Sequence, residues 1–312
     1  MSKHTHTYFR ALLGLRTLSP LHAGVLGGNH IIDRPIDREI NSGWPKVNSA
    51  ALKGALREQG IARSGNAANL FGVEESVFED ENGKKQKVRY GKAGLLSFTD
   101  ARLLLFPVRS ARGGWAWVSC PAVLERFREE AGLAGYDVAQ PAMKDFYAVF
   151  ANKIDDDAIL YAGNTLNLGD KLLLHHHIFG VDTRLDKSKL KDWQKAIPLL
   201  SDLDDFPERL AIVSDENFTE LARLYTEVST RNKIKDGTGA TGGGALFTEE
   251  YLPEGALLYA LSFSMPNATH NDVEDKLDTA PKVLQLAGNA TLGKGRCALS
   301  WHFSSGSQKQ EV

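Results

Sequence analysis

Between Leu21 and Asn48 the chain carries His22, Asp33, Asp37, Arg38 and Glu39 in one loop rich in glycine and proline. A carboxylate can serve as a base or as a metal ligand, and a histidine can give or take a proton. Cleaving RNA by internal attack of a 2′-hydroxyl needs such help, together with in-line geometry. Loops this long inside compact domains are usually functional or disordered. Asp33 lies two residues before Pro35, in a segment that cannot be regular helix. A plainer reading exists: loop aspartates commonly serve turns, and Asp33, Asp37 and Arg38 could cap turns and pair with one another.

Three other patterns invite chemistry. Ser49, Lys53 and Arg57 recur at a spacing of four and form one polar stripe on a predicted helix. A helix start with bare N–H groups and two cations on one face suits an oxyanion such as RNA phosphate, although an ordinary exposed face has the same spacing. The loop Gly288 to Gly295 nearly spells a phosphate-binding P-loop. It has Gly295 where a Ser or Thr should follow Lys294, and a strand rather than a helix is predicted after it. Its glycines and Lys294 suit a nucleic-acid phosphate or a plain turn. His175, His176 and His177 would alternate faces on a strand, so at most two could meet one ion. These histidines read as a polar loop or strand edge, and Asp155 to Asp157 as a solvated turn.

The elements that must position these groups follow from periodicity. Residues 8 to 17 alternate as a strand, with Phe9, Ala11, Leu13 and Leu15 on one face and Arg10, Leu12, Gly14 and Arg16 on the other. Ser49 is the expected N-cap of a helix over 50 to 62, with Leu52, Ala55 and Leu56 facing the core. Strands are predicted at 95–98, 102–108, 115–118, 257–264, 282–287 and 297–303, and helices at 121–131 and 215–226. Arg231 to Lys235 and Gly244 to Tyr251 flank a glycine-rich stretch, Gly237 to Gly243, and read as a hairpin. Residues 140 to 210 are mixed and read as an insertion. Lys84 to Arg89 form a basic cluster.

Composition sets bounds. The chain has 312 residues, 42% of them hydrophobic, enough for one large core or two modest ones. A net charge of −2 argues against binding nucleic acid over the whole surface but leaves room for a local groove. Two distant cysteines, Cys120 and Cys297, make a thiolate zinc site an unattractive reading and fit a reducing compartment. No run of eighteen apolar residues and no apolar leader are present, so a cytoplasmic protein without a membrane partner is expected.

The pieces LSPLHAG (18–24), IIDRPIDREINSGWP (31–45), ALKGALR (51–57), LLSFTDARLLLFPVRS (95–110), GALFTEEYLP (244–253) and LAGNATLGKG (286–295) resemble one family nearly end to end. It is the RAMP backbone subunits of type III-B CRISPR complexes, the fourth subunit of the Cmr module. The resemblance implies an α+β fold: a single domain, 1–312, with a ferredoxin-like, RRM-type palm, inserted segments and a protruding β-hairpin thumb at about 229–252. It implies copies stacked in a filament along a guide CRISPR RNA, beside other Cmr-module subunits including a small helical one. It further implies that complementary target RNA is cut at regular kinks with a divalent ion, magnesium or manganese. Asp33 matches the loop aspartate that cuts and is the candidate metal ligand, and His22 matches a histidine near the cut. Glu249 and Tyr251 match acidic and tyrosine positions of the thumb region. Arg38, Ser49, Lys53, Arg57, Arg231, Lys233, Lys235, Gly288, Thr291 and Lys294 match RNA contacts. The sequence departs from the family at Asn48-Ser49-Ala50-Ala51, where Gly-Ser-Ser is usual, and at Ala287-Gly288, where two glycines are common. Rival readings are a scaffold that binds guide RNA without cutting, a metal-free histidine nuclease acting alone, and a nucleotide-binding enzyme.

Overall fold

The computed structural model describes residues 9–25, 31–61, 67–72, 76–79, 85–89, 91, 93–151, 155, 158–159, 161–182, 186–201, 203–232, 246–265, 273, 277 and 282–303. Lys233, Lys235, Gly237 to Gly243, Asp156, Asp157 and Lys84 lie outside them. Among the described residues, thirteen strands form one mixed sheet. At its centre β1 (Arg10–Thr17) is buried on both faces: Ala11, Leu12, Leu13 and Leu15 have no exposed surface. Each such leucine contributes about 1.5–3 kcal/mol. The second face of this strand is covered because a short helix, Pro198–Ser201, crosses it; a Cβ on Gly14 would collide with the Leu199 side chain.

After β1 the chain runs through the long loop to α1 (Ser49–Ile61), β2 (Ala101–Ser110), β3 (Gly114–Ser119) and α2 (Pro121–Leu133). Further on come α3 (Asp215–Leu224), β4 (Glu227–Arg231), β5 (Phe247–Tyr251), β6 (Leu257–Ser264) and β7 (Arg296–Phe303). Strand β1 lies between β6 and β7, antiparallel to both, with Leu13 opposite Ala260 and Trp301. On the far side of β6 runs β2, which pairs in turn with β3 and, at Ser110, with Lys171–Leu174. The hairpin of β4 and β5 stands apart as its own two-stranded sheet, with Glu227 opposite Tyr251. Its pairing starts at Glu227, earlier than the predicted Arg231.

Helix α1 has its apolar face where expected: Leu52 and Leu56 are buried and Ala55 packs against the core. Its start differs. Asn48, not Ser49, caps the helix: Asn48 Oδ1 accepts from the Ala50 N–H at 2.9 Å. Asp100 Oδ1 accepts from the Ser49 N–H at 2.9 Å, and Asp100 Oδ2 accepts from Lys46 Nζ at 2.7 Å. Burial would raise the Asp100 carboxyl, but Lys46 and Ser49 hold it below its usual value. The expected bare N–H groups at Ser49 are therefore already met by a carboxylate of the same chain.

The three histidines do not alternate. His175 takes a left-handed backbone (φ 53°) in a turn, and all three rings gather on Tyr225 at the end of α3. His175 stacks on the Tyr225 ring at 4.0 Å, and His177 Nε2 lies 3.2 Å from its hydroxyl. Tyr225 is the C-terminal cap of α3, which ends at Leu224 and not at Thr226. Both cysteines are buried, and burial pushes the Cys297 thiol up to about 12, so neither is a ready thiolate. No helix among the described residues is long and apolar enough to cross a membrane.

The glycine loop ends in a strand, β7, as the sequence predicts. It carries two left-handed non-glycine residues, Ala287 (φ 61°) and Asn289 (φ 64°). Asn289 tolerates this conformation, whereas alanine is strained there by about 1 kcal/mol. Ala287→Gly is accordingly expected to raise stability by up to about 1 kcal/mol, read as a higher denaturant midpoint with unchanged m-value. A lower midpoint would show that the Cβ packs usefully.

Candidate active site

Strand β5 organises the site, because its successive residues meet different partners. Thr248 holds Asp33: the Thr248 N–H and hydroxyl donate to Asp33 Oδ2 at 2.7 and 2.8 Å. These bonds keep the exposed Asp33 carboxyl below the usual carboxylate range. Asp33 is therefore ionised near neutrality and a poor proton acceptor, better suited to carrying charge or binding a cation than to acting as a base.

Glu249 is the hub of a second cluster. Its side chain is 1% exposed and takes hydrogen bonds on Oε2 from Arg231 at 2.7 Å and from the Tyr251 hydroxyl at 2.6 Å. Arg34 and His22 approach its other oxygen at 3.5 and 3.7 Å. Burial would raise this carboxyl; the hydrogen bonds from Tyr251 and Asn289, with the charges of His22 and Arg231, outweigh it and hold the pKa below its usual value. Burial and the same carboxylate push Tyr251 up to about 12, so its phenol stays protonated as a donor. Tyr251 has no exposed surface. Glu249 and Tyr251 are thus buried side by side against His22.

His22 is fixed from three sides. Its Nδ1 donates to the Glu250 carbonyl oxygen at 2.7 Å, its ring meets Tyr251 edge-on at 5.7 Å, and it leaves no room for a Cβ on Gly24. A carbonyl only accepts, so the proton sits on Nδ1 and Nε2 is the nitrogen open to proton exchange.

The remaining acids and Arg38 of the loop are structural, and the strongest partners of Arg38 and Glu39 lie outside the loop. Arg38 donates to Glu250 Oε1 at 2.6 Å and to the carbonyls of Gly43 and Ala222. Glu39 accepts two bonds from Arg126 on α2, at 2.8 and 2.9 Å. Asp37 sits 3.7 Å from Lys46. Asp37 and Arg38 are thus paired within the protein, as the plainer reading has it, but with Lys46 and Glu250 in place of one another; Glu39 is engaged in the same way by Arg126. For Arg38, an RNA contact in the sequence reading, the guanidinium is already committed to the protein.

Arg231 reaches Asn289 Oδ1 at 3.2 Å, which docks the glycine loop on the hairpin. Lys294 lies over the Tyr251 ring at 4.8 Å and pairs with Glu227 at 3.1 Å, while Gly288 and Thr291 are exposed on the same loop. Lys53 donates to the Leu96 carbonyl at 2.9 Å. With Arg57, Phe71 and Met265 it lines a separate cavity of about 340 Å³. Sequence reasoning missed Thr248, Glu250, Arg34 and Asn289. Only the position of Arg34 beside Asp33, and of Thr248 and Glu250 inside GALFTEEYLP, could have flagged the first three.

Among the described residues no three His, Cys, Asp or Glu side chains converge to hold a metal ion. Asp33 fits a hard cation of another kind: its Oδ2 is engaged by Thr248, and magnesium is commonly held by one or two carboxylates with water and substrate phosphate supplying the rest.

Three comparisons bear on this arrangement. A family model described as the RAMP superfamily matches residues 14–298. The CRISPR system Cmr endoribonuclease Cmr4 of Pyrococcus furiosus is 33% identical over 291 residues, 91% of this chain and 92% of the relative. The crystal structure of oligomeric Cmr4 from Pyrococcus furiosus matches with a TM-score of 0.70 at 27% identity, covering 96% of this chain and 99% of that one. A chain of the cryo-EM structure of the type III-B Cmr-beta bound to cognate target RNA has the same fold, with a TM-score of 0.70 at 16% identity over 95% of this chain and 98% of its own.

Proposed function

The chain belongs to the RAMP superfamily and, within it, to the Cmr4 family; from that premise we propose that it is a guide-RNA-binding backbone subunit of a type III-B CRISPR complex that also cuts the bound target RNA. The observation that carries the cutting role is Asp33: an exposed, ionised carboxylate anchored by Thr248 on the same hairpin that positions His22. In this reading the β4–β5 hairpin is the thumb, set on a ferredoxin-like palm. Its partners are the guide, the complementary target, further copies of the chain in a filament and the other Cmr-module subunits.

Kinked RNA supplies in-line geometry, so the protein needs little beyond charge placement and proton transfer. Asp33 would hold a magnesium or manganese ion through its free oxygen; when bound, that ion neutralises charge on the phosphate being cut. His22 exchanges a proton at Nε2. Glu249, with Tyr251 behind it, keeps the ring in place. Contacts to the guide fall on backbone phosphates, which suits a chain of net charge −2 with cations gathered locally.

The test is reconstitution of the complex with a guide, an end-labelled complementary RNA and magnesium. Fragments at a regular spacing, abolished by EDTA, are expected. Cleavage of a repeat hairpin by the isolated chain in EDTA would overturn this reading in favour of a free-standing histidine nuclease. A target that stays bound and intact would leave the scaffold.

A further inference from the structure

Thr248 carries no chemistry of its own, yet it is the residue most completely joined to Asp33. Its N–H and hydroxyl donate to the same carboxylate oxygen, and its Oγ1 accepts the Asp33 N–H at 3.0 Å. The neighbouring bonds continue this seam. The Arg34 N–H donates to the Thr248 carbonyl at 3.1 Å, the Glu250 N–H to the Arg34 carbonyl at 2.9 Å, and the Ile36 N–H to Glu250 Oε2 at 3.0 Å. Thr248 and Glu250 of β5 therefore fix Asp33, Arg34 and Ile36 of a loop more than two hundred residues away in sequence.

We propose that Thr248 is a positioning residue for RNA cleavage: its hydroxyl locks the Asp33 carboxylate so that the other oxygen faces the RNA, and it ties that aim to the hairpin. This inference rests on the reading of Asp33 as the cutting carboxylate. An exposed aspartate is otherwise free to turn about two side-chain bonds. Two donors on one oxygen, with the reciprocal bond to its own N–H, remove that freedom. Threonine suits the task because its β-branch restricts the hydroxyl's rotamers on a strand. Because the anchor is on the hairpin, any RNA that shifts the hairpin also shifts Asp33.

The experiment compares Thr248→Val, Thr248→Ser and Asp33→Asn in the reconstituted complex. Valine keeps the shape and the strand preference but loses the hydroxyl. A displacement of about 1 Å costs about 10²-fold in rate, so Thr248→Val is expected to lower the single-turnover rate about 10- to 100-fold with target affinity unchanged. Thr248→Ser should recover most of that loss. Thr248→Val cutting at the wild-type rate while Asp33→Asn is inactive would overturn the inference and leave the Asp33 reading standing. Loss of target affinity with no rescue by serine would reduce Thr248 to a structural residue. An Asp33→Asn complex as active as wild type would remove the reading beneath both.

Discussion

An Asp33→Asn complex is expected to hold guide and target RNA as tightly as the wild-type complex and to cut the target about 10²–10³-fold more slowly, the range associated with loss of one electrostatic contributor to the transition state. Asparagine keeps the shape and can still accept from the Thr248 N–H and hydroxyl, so the loop stays in register. What it loses is the negative charge, the one property of Asp33 that the fold leaves unspent. The neighbouring acids cannot substitute. Glu249 and Glu250 are buried, and each is already neutralised by an arginine. Target binding and single-turnover cleavage, measured on one preparation, separate the two effects. Fragments of wild-type amount at wild-type positions would show that Asp33 does not cut and would favour a scaffold.

The second large effect concerns stability. Glu250→Ala should cost about 3–5 kcal/mol, as removal of one partner from a buried ion pair does. The deletion strands the Arg38 guanidinium, the Ile36 N–H and the Thr226 hydroxyl, which all bond this one carboxylate. Arg38→Ala should destabilise as well, since it leaves the Glu250 charge buried and unpaired, and it should leave guide affinity and its salt dependence unchanged. Denaturant midpoints together with RNA titrations at two salt concentrations decide this. A reduced salt slope with an unaltered midpoint would return Arg38 to the RNA-binding surface.

These two acids mark the line between local and tertiary information. Alternation along a strand is a local property, so a hairpin containing Glu249, Glu250 and Tyr251 was legible in the sequence, as were the apolar stripe of α1 and the strand at Leu257 to Ser264. The histidine cluster was not. It depends on a left-handed turn at His175 and on Tyr225 arriving from the end of another helix. The N-cap at Asn48 was missed by one residue, because a distant carboxylate, Asp100, takes the Ser49 N–H that a sequence reader leaves open.

The loop from Leu21 to Asn48 shows the same division most clearly. Sequence alone determined that it is irregular, dense in ionisable groups and similar to a RAMP signature, because glycine, proline and charge act on the chain locally. It could not determine which charges are spent. Asp37, Arg38 and Glu39 are neutralised by Lys46, Glu250 and Arg126, while Asp33 is held by hydrogen bonds from Thr248 and keeps an exposed charge. A charge becomes structural or functional according to what lies within about 4 Å of it. For Arg38, Glu39 and Asp33 those neighbours come from segments far along the chain, which only the folded chain brings together.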